Sequence, residues 1–236
     1  MDQEVLEKLQ ERIGYRFAAP ALLRQALCHS SYVNEHRRLG LKDNERLEFL
    51  GDAVLELCSS EFIYHAYPEM PEGKMSRLRA SLVCEPTLAQ CARQIDLPGA
   101  IALGRGEEHT GGRERDSIVS DAMEALIGAL FLDGGLTAAK EFVRKYILTD
   151  LEHKKLFYDS KTILQEVAQG EYRGMPLHYE LTGEEGPPHA KTFRVSACLG
   201  ERVIGTGTGP TKKAAEQEAA YRALLMLRSA SGEDGE

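Results

Sequence analysis

Asp121-Ala122-Met123-Glu124-Ala125-Leu126-Ile127-Gly128-Ala129-Leu130-Phe131-Leu132-Asp133-Gly134-Gly135 reads as a helix. Almost every position other than Asp121 and Glu124 is apolar or small, all the way round it. A helix without a polar face belongs in the middle of a fold. An unpaired carboxylate buried there costs several kcal/mol or takes up a proton. Two of them, three residues apart on one face, point to a positive charge between them, and a divalent metal ion satisfies both. For Asp121 alone, a capping or dipole role beside Asp116, Ser117 and Ser120 is the structural alternative. Glu124 lies too far into the apolar run for that account.

A second stretch, Asn44-Glu45-Arg46-Leu47-Glu48-Phe49-Leu50-Gly51-Asp52-Ala53-Val54, carries three more acids. At about 100° per residue, Glu45, Glu48 and Asp52 fall within roughly 60° of one another. Leu50, Ala53, Val54 and Leu57 fall on another face, expected to meet the core. Like charges ~5 Å apart repel by about 3 kcal/mol per pair at an effective dielectric of ~20, and a bound cation reverses the sign. A solvated helix face, with Arg46 pairing Glu45 or Asp43, is the plain alternative for this stretch taken alone. Neither stretch supplies His or Cys, so zinc is disfavoured. Mg²⁺, which takes oxygen ligands and few carboxylates, suits the set better.

Around these stretches, residues 1–150 read as helical. Val5, Leu6, Leu9 and Ile13 recur at helical spacing, Pro20 starts a second helix, and 43–65 form a long third. Gly73 and Pro86 bracket another, and a further helix follows Pro86. Residues 104–116 are glycine-rich and charged, a loop by composition. The apolar helix stops at Gly134-Gly135, and helical spacing returns over 136–153. The pattern then changes. Residues 154–159 read as a linker and 160–170 as a helix. Strands follow at Leu177–Leu181, Thr192–Leu199 and Arg202–Gly207, then a helix from Thr211 to about Arg228. The expected organisation is therefore an all-α domain over 1–153, the linker, an α-β-β-β-α domain over 160–229, and a disordered tail over 230–236.

Composition sets bounds. The length of 236 residues permits one large or two small domains. The opening Met1-Asp2-Gln3-Glu4 has no secretory pattern, and no uncharged apolar run approaches the ~18 residues of a membrane span. Five cysteines without C-x-x-C spacing predict reduced thiols in a cytoplasmic protein. The net charge of −8 argues at first against nucleic acid. Its distribution softens the objection: residues 160–229 hold nine Lys+Arg against eight Asp+Glu, and the acids discussed above lie in the first part. In the second part, Gly209-Pro210-Thr211-Lys212-Lys213 opens a helix straight after a strand. Partial positive charge, free N–H groups and two lysines suit phosphates there. An ordinary amphipathic helix with exposed lysines is the alternative.

These residues resemble ribonuclease III, the double-stranded-RNA endonuclease. Asn44 to Asp52 is similar to the family's signature stretch, and Asp121 to Gly135 to its second acidic helix. His29-Ser30-Ser31-Tyr32, Glu72-Gly73 with Ser76-Arg77-Leu78-Arg79, and Leu103-Gly104-Arg105-Gly106-Glu107-Glu108 are further matches. Asp43 stands where many members have His, and Cys28 where Thr is common. The resemblance implies an all-α ribonuclease III catalytic domain followed by an α+β double-stranded-RNA-binding domain. Glu48, Asp52, Asp121 and Glu124 would bind metal, with Asp52 and Glu124 catalytic and Glu45 and Glu72 auxiliary at the cleavage site. Thr162, Gln165 and Glu166 would meet one RNA minor groove, His189 the next, and Lys212 and Lys213 the phosphates between. Many such domains have a third basic residue near position 216; here it is Glu216. The implied activity is Mg²⁺-dependent hydrolysis, with Mn²⁺ able to substitute, in a homodimer. The products carry 5′-phosphate and 3′-hydroxyl ends with short 3′ overhangs. The implied cellular role is processing of rRNA precursors and other structured transcripts, mRNA and tRNA among them. An inert RNA-binding protein would have lost one of the four acids, and all four are intact. A di-iron carboxylate protein needs Glu-x-x-His, which the chain lacks.

Overall fold

A computed structural model describes residues 3–186 and 191–231. These fall into two compact units that part between Leu151 and Glu152. The first is helical: α1 (Gln3–Ile13), α2 (Pro20–Ala26), α3 (Ser30–Glu35), α4 (Glu45–Ala66), α5 (Glu72–Val83), α6 (Glu85–Gln94), α7 (Leu97–Ala100), α8 (Arg105–His109) and α9 (Asp116–Tyr146). Its core is built round α9, whose Val119, Ala122, Met123, Ala125, Leu126, Ile127, Ala129 and Leu130 are fully buried, as an all-round apolar helix must be. By length and hydropathy alone α9 could cross a membrane, but it is central to this core and breaks at Gly135. There the backbone turns to φ 72°, a left-handed value that glycine tolerates, so the expected stop at Gly134-Gly135 is a kink. Asp133, just before it, accepts hydrogen bonds from the Tyr15 hydroxyl and the Ala18 and Ala19 amides, pinning the α1–α2 connection.

Packing of α4 against α9 sets the geometry of the unit. A Cβ on Gly51 would lie 1.8 Å from the Glu124 carbonyl oxygen, and one on Gly128 would lie 2.2 Å from that of Leu47. Only the missing side chains allow the two backbones to touch. The face of α4 turned to this contact carries Leu47, Gly51, Val54, Leu55, Cys58 and Ser59. This corrects the expected core face: Val54 is buried and Leu50 half-buried, but Ala53 and Leu57 are exposed, because α9 approaches through the glycine rather than through the leucine side. The expected loop at 104–116 holds α8 and a 3₁₀ turn at Gly112–Glu114. Arg113 stitches it down by donating to the carbonyls of Pro98 and Ile101 and pairing with Glu108.

The second unit contains α10 (Leu151–Tyr158), α11 (Ser160–Glu171), β1 (Leu177–Glu185), β2 (Thr192–Leu199), β3 (Arg202–Gly209) and α12 (Lys212–Ser231). The segment 154–159, expected as a linker, is largely helix: Leu156 joins the second core and the Phe157 ring meets Tyr221 edge-on. The tail expected from 230 begins as helix, since α12 continues to Ser231; positions 232–236 lie outside the described residues. The strands form one antiparallel sheet in the order β1-β2-β3. Gly205 and Gly207 lie under α12, where a Cβ would come within 2.4 Å of the Ala219 and Ala215 carbonyls. Buried Ala215, Ala219, Ala220 and Ala223 on the facing side complete the close helix–sheet contact.

Candidate functional site

The α4–α9 crossing brings Glu48, Asp121 and Glu124 together. One carboxylate oxygen from each lies within 4.8 Å of the other two, and all three side chains are half-buried. The cause is local. Asp121 and Glu124 are one turn apart on α9, Glu48 is one turn before Gly51 on α4, and the glycine contact sets those turns side by side. Among the described residues no lysine or arginine forms an ion pair with these acids or with Asp52. The electrostatics follow. Burial raises the Glu124 carboxyl, and the charges of Asp52, Asp121 and Glu48 push it further, to about 8. Burial also raises Glu48, helped by Asp121, Glu45 and Asp52. Asp121 is raised by burial, against a lowering by His29 and a hydrogen bond from Ser120. Half-buried carboxylates that repel one another and lack a cation are what a divalent ion with oxygen ligands requires, so the residues fit a metal.

Other expected positions are distributed differently. Asp52 is exposed on α4 and acts on Glu48 and Glu124 through its charge. Glu45 is exposed in the first turn of α4 and adds to the field on Glu48. Glu72 is not in the cluster. It starts α5, accepts a hydrogen bond from Ser76, and lines a groove of about 410 Å³ with Leu57, Tyr64, Met75 and Arg79. Glu85 was missed: it opens α6, and burial with the charges of Asp116 and Asp121 raises its carboxyl. Only the Glu85-Pro86 helix start was legible, not its approach to α9.

On the second unit, Thr162, Gln165 and Glu166 lie along the exposed face of α11. Lys212 and Lys213 are exposed at the start of α12, where Thr211 Oγ1 accepts from the Ala214 amide and caps the helix. Glu216, in the place of a basic residue, pairs with Lys161, whose ammonium also lies 4.9 Å from the Tyr179 ring centroid. His189 lies outside the described residues.

A helical unit with clustered acids, followed by an α-β-β-β-α unit with a basic helix start, defines a metal-dependent nuclease joined to a double-stranded-RNA-binding domain. Comparison with known proteins agrees. Residues 19–151 match the Ribonuclease-III-like family and residues 160–227 the Double-stranded RNA binding motif. Ribonuclease 3 of Pseudothermotoga lettingae is 46% identical over 233 residues, covering 96% of this chain and 98% of that protein. Ribonuclease 3 of Bacillus licheniformis is 47% identical over 227 residues, covering 95% and 91%. The nuclease domain of ribonuclease III from Campylobacter jejuni, described for structural flexibility in its dimer-forming region, superposes with a TM-score of 0.57 at 42% identity. It covers 60% of this chain and 95% of its own. The chain belongs to the ribonuclease III family, and is an endoribonuclease of double-stranded RNA. The family is metal-dependent.

Proposed function

We propose that Glu48, Asp121 and Glu124, with Asp52 at their edge, hold Mg²⁺, for which Mn²⁺ can substitute, and that this centre cuts each strand of an RNA duplex. The observation that carries the reading is the convergence of three half-buried carboxylates within 4.8 Å of one another. When bound, the ion supplies charge neutralisation at the phosphate and lowers the pKa of the attacking water. The chain's own residues do the rest. Burial and the neighbouring acids raise the Glu124 carboxyl, so it holds its proton in the metal-free chain and would release it on ion binding. Asp52, exposed beside it, is placed to accept a proton at the rim; it and Glu124 are the catalytic pair. Glu45 shapes the field at Glu48. Glu72 acts at the cleavage site only through its place in the groove on α4 and α5.

The products carry 5′-phosphate and 3′-hydroxyl ends with short 3′ overhangs, and the substrates are rRNA precursors and other structured cytoplasmic transcripts. A homodimer is supported by an exposed apolar ridge along α4. Phe49 is 81% exposed, Leu57 55% and Tyr64 67%, beside the groove that Glu72 lines. At about 100° per residue the three fall within roughly 80° of one another. A two-fold contact buries one such ridge against its copy. In the second unit, Thr162, Gln165 and Glu166 meet one minor groove and Lys212 and Lys213 the intervening phosphates, with His189 assigned to the next groove by the motif alone.

Cleavage of a uniform duplex RNA in Mg²⁺ or EDTA, beside single-stranded RNA and duplex DNA, tests the reading. Mg²⁺-dependent cutting of duplex RNA alone is expected, lost in Glu124→Ala while binding persists. Binding without cutting by the intact chain in both Mg²⁺ and Mn²⁺ would leave an RNA-binding protein and no enzyme.

A further inference from the structure

The second unit carries a cluster that neither RNA binding nor cleavage uses. Strand alternation sends Leu177 and Tyr179 of β1, and Val195, Ala197 and Leu199 of β2, into the core under the helices. The residues between them, His178, Glu180, Ser196 and Cys198, therefore face the other side of the sheet. His178 is directly opposite Cys198 in the antiparallel register, and Glu180 follows on the same face of β1. His178 Nε2 lies 3.1 Å from Glu180 Oε1. Cys198 is 3% exposed, yet it faces this polar pair and not the apolar core. The hydrogen bond found for its Sγ is a 4.0 Å approach to the Ser196 carbonyl.

We propose that His178, Glu180 and Cys198 form a binding site for a thiophilic divalent cation of the zinc class, separate from the acidic cluster. One ligand atom from each side chain lies within 4.8 Å of the other two. A tetrahedral ion with bonds of about 2.0–2.3 Å holds its ligand atoms roughly 3.3–3.8 Å apart, so modest side-chain rotations close the set. In the metal-free chain His178 Nε2, 3.1 Å from Glu180 Oε1, donates to that carboxylate; ion binding moves the ring proton to Nδ1, which lies 3.5 Å from the Pro176 carbonyl. Imidazole, thiolate and carboxylate together suit zinc and not Mg²⁺, whose preference for oxygen keeps it with Glu48, Asp121 and Glu124. Binding sends the Cys198 thiol proton to solvent and leaves a fourth position for water. Two paired strands supply the ligands, so the site is rigid across the sheet. Thr162, Gln165 and Glu166 lie on a helix that packs on the opposite sheet face, so an ion here and duplex RNA do not compete.

Titration of the intact, reduced chain with Co²⁺, followed by absorption spectroscopy, tests the site. One equivalent is expected to raise a thiolate-to-cobalt charge-transfer band and the strong visible bands of tetrahedral Co²⁺, displaced by Zn²⁺ and not by Mg²⁺. His178→Ala and Glu180→Gln, at positions open to solvent, should each weaken or remove the band in protein that circular dichroism shows to be folded. Cys198→Ser should remove it, and Glu124→Gln should leave it intact. The site is overturned by the absence of a thiolate band in the intact chain, by a band undiminished in both folded strand variants, or by one that disappears with Glu124→Gln.

Discussion

Gly51 and Gly128 bring α4 and α9 into backbone contact in the first unit, and Gly205 and Gly207 do the same for β3 and α12 in the second. The packing device is shared; what it presents differs. In the first unit the contact gathers acids between apolar neighbours, where their charges act strongly on one another. In the second it lays a helix flat on a sheet and leaves Lys212 and Lys213 at its exposed start. Metal holding needs low dielectric and short distances, whereas phosphate holding needs reach and access. For the proposed roles the same close approach suffices in both units, because it fixes the backbone and leaves the burial of each side chain to its surroundings.

The largest effect is expected from Gly128→Ala. The added methyl meets the Leu47 carbonyl, so a loss of about 3 kcal/mol is expected, at the upper end for an overpacked core. Thermal unfolding and cleavage should fail together, while Gly207→Ala should cost duplex binding and spare the helical unit. Next comes pH. Glu124 titrates near 8 in the folded, metal-free chain against an ordinary value of 4.5. Between those values the folded state holds more protons than the unfolded one, so stability falls as pH rises through the window. Denaturant unfolding in EDTA should show that fall, and Mg²⁺ should flatten it. Glu124→Gln should flatten it too, without metal.

Lys212→Ala with Lys213→Ala should weaken duplex binding and lower the salt dependence, the log–log slope shrinking by about 1 per lost phosphate contact. Filter binding across a salt series measures this, and cleavage of saturating RNA should change little. The smallest effect is expected from Glu216→Gln. It removes a negative charge and frees Lys161, so duplex affinity should rise at low salt by less than about tenfold and lose the gain near 1 M salt.

Much of this was legible in the chain. Asp121 and Glu124 stood out because an all-round apolar helix leaves no solvent for a carboxylate, and burial at their neighbours agrees. The order of helix, three strands and helix followed from a switch in apolar period. The placement of Ala53 and Leu57 did not follow, because helical spacing relates residues on one helix and says nothing of which neighbour covers them. The segment 154–159 reads as polar linker, yet Leu156 and Phe157 give it an apolar edge that only a partner such as Tyr221 turns into a packed helix.

The two element patterns, the acids in an apolar helix and the basic helix start depend only on spacing along the chain, so the sequence carried them. Helix spacing did not bring Glu48 to Asp121 and Glu124, which only the family resemblance had grouped; the packing did, and it also brought Glu85 towards Asp121, set Glu72 in a groove and placed His178 opposite Cys198 across two strands. Each of these is a distance between segments far apart in sequence. Such distances are set by how closely two backbones can pack, and glycines spend that freedom only where a partner element arrives.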